Sequence, residues 1–452
     1  MTDSGLYQIW QGLQRITGLK TLILEFLSCS RIINKGIIEI GQSLCRLNSL
    51  ERLTLKFASS KKITSHGIDL LGKSLRRLGS LSNLSLTFID CGPNLNEGFV
   101  SLQKTIRSLS SLESLHLEFS SNVGLSSLGE LAKSGVKSLK TFSLRFKSYS
   151  PIRDQEFEDF SQCLKKLGLL EIINLDFAHC SGMTDQGFYS ISQGLSKLRN
   201  LKELNVDFSD CHKITDRGLN SLSKTIKDHL CLDKIDLKFQ HCSGISDIGL
   251  CQISNSLNIF PFLKEISLDF SYSPVTDGGL LDISEALQNL SAVDLTFIKC
   301  PGITDQGLEY ICQGLKDSAL LKTINLEFSA CLEVSDIGLD SIAQVLKKVT
   351  RLENLSLSFA NCPLVTEKGL NNILQSVRGP VGLRNIQLRF GGNSDEIKGP
   401  GGLASLKRNV GLGAISLYFY NFPGMTETRL EDIYKRLEEV VRPNSECNVQ
   451  GK

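Results

Sequence analysis

The stretch "IDLKFQHCSGISDIGL", Ile235 to Leu250, holds the pattern that decides the fold. Its first five residues alternate, with Ile235, Leu237 and Phe239 on one side and Asp236 and Lys238 on the other. Strict alternation over so short a run predicts a strand with one buried face. Cys242 follows three residues after the Phe, and then comes "ISDIGL". The same hexad stands at 214–219 as "ITDRGL", where it reads as a helix start. Thr215 is a good N-cap, because its hydroxyl accepts from a free amide of the first turn. Asp216 sets negative charge at the positive end of the helix dipole. Ile214 before the cap and Leu219 at the fourth helical position form a hydrophobic staple. Gly218 supplies a position without a side chain, as close packing of a neighbouring repeat would require. Leu219, Leu222, Ile226 and Leu230 then follow at spacings of three and four, a helix with one buried stripe.

The pattern recurs fourteen times. Its closing phenylalanines are Phe26, Phe57, Phe88, Phe119, Phe146, Phe177, Phe208, Phe239, Phe270, Phe297, Phe328, Phe359, Phe390 and Phe419. Successive steps are 31 residues ten times, 27 twice and 29 once, and this one column takes 14 of the 22 phenylalanines. A unit of one strand and one helix cannot bury its apolar face alone, so it stacks on its neighbours. Stacked strands sit about 4.8 Å apart, whereas packed helices need about 8–10 Å. The expected fold is therefore an α/β solenoid bent into a horseshoe, with parallel strands on the concave face and helices on the convex face. The two short steps, 119 to 146 and 270 to 297, each remove four residues, about one helical turn. They lie 151 residues apart, which suggests duplication of a five-repeat block.

These residues resemble the leucine-rich repeat proteins, and within them the cysteine-containing, ribonuclease-inhibitor-like class. The resemblance rests on the frame of Leu232, Ile235 and Leu237, on the cysteine after each strand, and on the "ITDxGL" helix start. It covers essentially the whole chain. It implies a protein-binding scaffold, with two alternatives known among such proteins: a substrate-recognition subunit of a cullin-type ubiquitin ligase, or a GTPase-activating protein. The units here depart from that class in being longer, since an extra alternating pair ends each strand in Phe. That departure predicts longer strands and a more spacious inner face.

Bulk composition narrows the function. Lys plus Arg is 50 and Asp plus Glu is 48, a net charge of +2. Dedicated nucleic-acid or anionic-membrane binders carry a strong basic excess, so neither partner is expected. No run of eighteen apolar residues predicts a spanning helix, and the N-terminal "MTDSGLYQIWQGL" lacks the basic and apolar regions of a signal peptide. The expectation is a cytoplasmic protein whose 14 cysteines stay reduced.

Eight cysteines share the slot three residues after the Phe: Cys29, Cys91, Cys180, Cys211, Cys242, Cys300, Cys331 and Cys362. Ser60, Ser273, Asn122 and Asn393 fill it elsewhere. Small residues able to hydrogen-bond backbone point to a buried corner ladder that satisfies turn amides, not to metal ligation. Four of the six histidines, His179, His212, His229 and His241, fall in three consecutive repeats. Two residues after the Phe the column reads His179, Asp210, His241, which with His212 forms the one candidate metal site. The plainer expectation is a solvated loop edge in which Asp210 pairs with imidazolium, and no metal or other cofactor.

No nucleophile elbow is present, and "KGPGGLASLKR" (398–408) lacks the spacing of a phosphate-binding loop. Enzymatic activity is not expected. The candidate functional surface is instead the inner face of the strands. From the sixth to the eleventh repeat its two middle positions are Asn174/Asp176, Asn205/Asp207, Asp236/Lys238, Ser267/Asp269, Asp294/Thr296 and Asn325/Glu327. Six acids in twelve positions hint at a basic protein partner. Lys56, Arg145 and Lys147 stand earlier in the same face, and Arg389, Tyr418 and Tyr420 later, the last three being residue types enriched at binding hot spots. The solenoid is expected over 1–442, closed by the charged helix "TETRLEDIYKRLEEVVR" (426–442), with a polar tail at 443–452. At the other end Thr2-Asp3 already reads as a helix start, so no F-box-like segment is expected before the first repeat, and either the polar face of that first helix or a further chain is expected to cover the end.

Overall fold

The computed structural model describes residues 3–440 and 446–451, apart from 14, 94, 121–123, 129–130, 132–135, 137, 148–151, 317, 378–381, 392–402, 404–411 and 421–425. Asn122, Asn393 and nearly all of the stretch 398–408 thus lie outside the described residues. The chain forms two compact units: Met1–Ile214 with Lys224–Leu232, and Thr215–Ser223 with Asp233–Lys452.

In the first unit seven strands pair in parallel in chain order: β1 (Thr21–Leu27), β2 (Arg52–Ala58), β3 (Asn83–Ile89), β4 (Ser114–Ser120), β5 (Thr141–Lys147), β6 (Ile172–Asp176) and β7 (Glu203–Asp207). In the second, eight more do the same: β8 (Lys234–Lys238), β9 (Glu265–Asp269), β10 (Ala292–Thr296), β11 (Thr323–Glu327), β12 (Asn354–Phe359), β13 (Asn385–Gly391), β14 (Ala414–Tyr420) and β15 (Glu446–Gly451). Helices alternate with the strands and pack on one another within each unit. Register runs residue for residue, so Leu237 meets Leu268 and Asp236 meets Ser267. Each apolar column is thereby stacked on itself. Phe297, Phe328 and Phe359 are fully buried, with ring centroids 5.6 and 6.1 Å apart in near-parallel planes.

Two expectations are corrected here. The strand is not longer throughout: β6 to β11 have five residues and end before the Phe, while β1 to β5 have seven and include it. Four of the short strands end on an acid whose own carboxylate turns the chain out of the ladder. Asp176 accepts from the Ala178 amide at 3.2 Å, Asp207 from Ser209 at 2.9 Å, Asp269 from Ser271 at 2.9 Å and Glu327 from Ser329 at 3.2 Å. Such local bonds compete with strand pairing. The second correction concerns residues 443–452, read as a polar tail. Of these, Glu446–Gly451 form β15 and pair with β14, because Cys447 and Val449 keep the alternation that meets Ile415 and Leu417.

The column two residues after the Phe, which includes His179, Asp210 and His241, adopts left-handed backbone (φ 64°, 60° and 60°), as do Tyr272, Lys299, Ala330 and Asn361. Non-glycine residues enter that region at a cost. Their amides then reach the next repeat, His241 to the Ser271 carbonyl at 2.9 Å and Ala330 to that of Ala360 at 2.7 Å.

The helix start joins repeats as well as beginning a helix. Asp305 accepts from the Ser335 amide at 2.7 Å, the Ser335 hydroxyl at 2.6 Å and the Gly338 amide at 2.9 Å, all in the following repeat. Asp216 makes the same three bonds to Ser246 and Gly249, and Asp336 to Thr366 and Gly369. The hexad glycine is explained by this junction: a Cβ on Gly338 would lie 2.7 Å from the Asp305 Oδ1. In the second short repeat the helix Asp277–Ser284 has eight residues where its neighbours have eleven, and a 3-10 turn, Glu285–Leu287, closes it. Asp277 still reaches the Thr304 amide (2.8 Å) and hydroxyl (2.7 Å), so three of the four missing residues fall at the far end of the helix, and the fourth is missing from the turn between Phe270 and Asp277.

Candidate functional site: the open face of the strands

Helices cover one side of each sheet, and alternate strand residues face away from them. In parallel register these outward side chains form two continuous columns per unit. One column of the first unit runs Glu25, Lys56, Thr87, Glu118, Arg145, Asp176, Asp207. Its centre is a network of ion pairs. Arg145 Nε lies 2.5 Å from Asp176 Oδ2, and Lys147 Nζ lies 3.7 Å from Glu118 Oε1. Glu118 is buried and also accepts from the Thr87 hydroxyl at 3.1 Å. Burial holds the neighbouring His116 below the ordinary imidazole range, against the pull of Glu118. Beside this column, Asn205 donates to Asn174 (2.6 Å) and Asn174 to Ser143 (2.8 Å).

In the second unit the equivalent column reads Lys238, Asp269, Thr296, Glu327, Ser358, Arg389, Tyr418. Lys238 lies 3.5 Å from Asp236, and Asn325 donates to Asp294 at 2.8 Å. Burial pushes the Asp294 carboxyl above its ordinary range, against that hydrogen bond. Arg389 stands 3.9 Å from Glu327, with its guanidinium over the Tyr418 ring at 5.4 Å, and Asn448 donates to the Tyr418 hydroxyl at 3.3 Å. Tyr420 closes the strand two residues on, half-buried. The structure thus brings Glu327, Arg389 and Tyr418 into one cluster. The six acids of this face are tied to basic neighbours, amides or their own turns. Glu118 was missed, although it occupies the same outward position as Glu25 and Lys56.

The histidine candidates divide differently. His179 Nδ1 lies 3.0 Å from Asp210 Oδ2, and His212 is exposed on the following residues. His241 stacks on Tyr272 at 3.9 Å, and Lys299 Nζ lies over the same ring, 5.3 Å from its centroid. No group of three or more His, Cys, Asp or Glu among the described residues is placed to hold a metal ion. His229 is buried with Nε2 2.9 Å from the Leu195 carbonyl and Nδ1 3.2 Å from that of Thr225.

The cysteine slot is a corner ladder whose thiols meet strand-exit carbonyls as well as turn amides, Cys362 taking the amides of Cys331 and Ala330. Cys331 lies 3.1 Å from the Phe297 carbonyl and Cys362 3.3 Å from that of Phe328, each one repeat back. An S–H is a weak donor, and the carbonyl at the strand exit is the acceptor within reach. Burial pushes the Cys180 thiol up to about 12 and that of Cys362 up to about 11. Thiolate is the reactive form. With an aromatic disulfide reagent at pH 8, the folded chain should lose Cys231, which is exposed, and more slowly the half-buried Cys29, Cys45, Cys251 and Cys447. The nine buried thiols should react only on unfolding, and fast modification of Cys180 or Cys362 would contradict the ladder.

No protein-family model matches the chain, and no curated protein matches it. Among solved structures it matches the crystal structure of the Rad7 and Elc1 complex in yeast, over 98% of this chain and 92% of that one, with a TM-score of 0.52 and 16% identity. The fold is a leucine-rich-repeat solenoid. That likeness concerns the fold alone, which the repeating helix, strand and turn also give. No helix among the described residues is long and apolar enough to cross a membrane.

Proposed function

We propose that the chain is a non-enzymatic, cytoplasmic scaffold of the cysteine-containing leucine-rich-repeat class, and that a partner protein docks on the open face of its strands. The observation that carries this is the pair of outward columns in strict register. They set charged, amide and aromatic side chains on a surface no helix covers. Repeat proteins bind on such extended faces. The Glu327, Arg389 and Tyr418 cluster supplies the residue types that dominate interfaces, and the acids in both units favour a basic partner. A chain of this fold assembles with another protein in the Rad7 and Elc1 complex, which supports the role of an assembly subunit. The ubiquitin-ligase and GTPase-activator alternatives rest on the family resemblance alone.

Because the acids also hold their own turns, the test uses Asp→Asn, which keeps the Oδ1 acceptor and removes the charge. Affinity purification with mass spectrometry should recover partners with the parent chain. Recovery of the same partners should fall about tenfold or more with the triple variant Asp176→Asn, Asp207→Asn, Asp269→Asn. Unchanged recovery would remove these acids from the interface. Co-purification of a cullin would favour the ligase alternative, and accelerated GTP hydrolysis by a small GTPase the activator.

A further inference from the structure

Two clefts open on the loops that lead from a helix into the next strand, and each includes a repeat shortened by four residues. The first, about 450 Å³, has Leu169 on its rim. The second, about 830 Å³, has Leu320. These leucines are 151 residues apart, the spacing of the two short repeats. The cleft therefore recurs with the four-residue deletion.

The two differ in what crosses them. In the first, Lys140 pairs with Glu113 at 3.0 Å and Lys202 with Glu171 at 2.6 Å, so ion pairs line its floor. The second is mixed, with apolar side chains beside Asn258, Lys264, Glu285, Gln288 and Asn289, and among the described residues no ion pair joins its two walls. Phe260, Leu263 and Leu290 are buried at its base. Phe262 (63% exposed) and Leu320 (50%) stand at its rim in solvent. Exposed large apolar side chains grouped around a hollow mark interaction sites. The carboxamides of Asn258 and Gln288, at the same edge, take no hydrogen bond from any described residue. One wall carries Lys264 and the other Glu285, a balance that fits a segment without net charge. Lys264 has its nearest carboxylate, Asp233, at 4.0 Å.

Size decides the occupant. Thirteen residues line the cleft, whereas a stable subunit interface takes about 20–30 residues a side. A second copy of the chain would need far more surface than this. The volume falls in the range of about 300–1,000 Å³ that encloses a compact ligand group. We propose that this cleft is a second docking site, taking a short peptide segment of a partner protein, without net charge, that seats one bulky apolar side chain between Phe262 and Leu320. Asn258 and Gln288 would pair with the backbone of that segment. The site is separate from the open strand face and does not depend on it.

Short random peptides displayed on phage, selected against the full chain and then labelled for fluorescence polarisation, test this. Selected sequences should share one bulky apolar residue and carry no net charge. Their affinity should fall at least about tenfold with Phe262→Ser and with Leu320→Ser. It should stay the same with Asp269→Asn on the strand face. Thermal melts should show both serine variants as stable as the parent, since exposed positions tolerate substitution. The proposal is overturned if no peptide is selected, or if binding survives both serine variants. It is also overturned if binding follows Asp269→Asn, or if light scattering finds a dimer that Phe262→Ser dissolves, for then a second copy fills the cleft.

Discussion

Phe328→Ala should lower stability by about 3–5 kcal/mol, the largest loss of any single substitution considered for this chain. The side chain is fully buried and sits between Phe297 and Phe359 in one stack. Truncation removes the apolar contact on both neighbours and leaves a hollow that neither can fill without shifting its strand. Urea unfolding followed by circular dichroism reads the change as a lower midpoint. Phe262→Ala serves as control, since that ring is 63% exposed and its loss should stay within about 0.5 kcal/mol. Equal midpoints for the two variants would mean that the stack contributes nothing beyond solubility.

The second large effect concerns the junction between repeats. Asp305→Ala removes three hydrogen bonds to a carboxylate, two from Ser335 and one from Gly338, and should cost about 2–4 kcal/mol. Gly338→Ala should cost about 1–3 kcal/mol, because its new Cβ meets the same carboxylate and the Leu308 side chain. The double variant separates cause from coincidence. With the carboxylate gone only the flexible Leu308 side chain crowds the methyl group, so the two losses should sum to more than the double variant shows, by about 0.5–3 kcal/mol. Strict additivity would show that the aspartate is not what demands the glycine.

Much of this was legible in the sequence. The Phe column, the alternating strand and the Ser/Thr-Asp start gave the fold, because period and capping chemistry are local properties. The hexad glycine was legible as a place where a neighbouring repeat packs closely, but not which atoms it meets, since its partner lies 33 residues earlier, in Asp305 for Gly338. Contacts of that kind depend on the angle between stacked repeats, which no single unit encodes. The strand face was harder to read. Asp176, Asp207, Asp269 and Glu327 looked like one charged wall, yet each holds an amide two residues on. A carboxylate serving its own backbone and one awaiting a partner are the same letter. The column of His179, Asp210 and His241 misled for a related reason: its common property is a left-handed backbone, which chemistry at the side chain does not reveal.

The junction at the helix start also bears on how such an array tolerates insertions and deletions. Asp277 keeps its bonds to Thr304 across a repeat that has lost four residues, because three of them are lost at the other end of the helix and only one from the turn before it. Each 31-residue cassette thus has one end that fixes its spacing to the next and one that absorbs changes in length. Added or missing turns should fall mainly after the helix, and the clefts such changes open would appear along a single edge of the array.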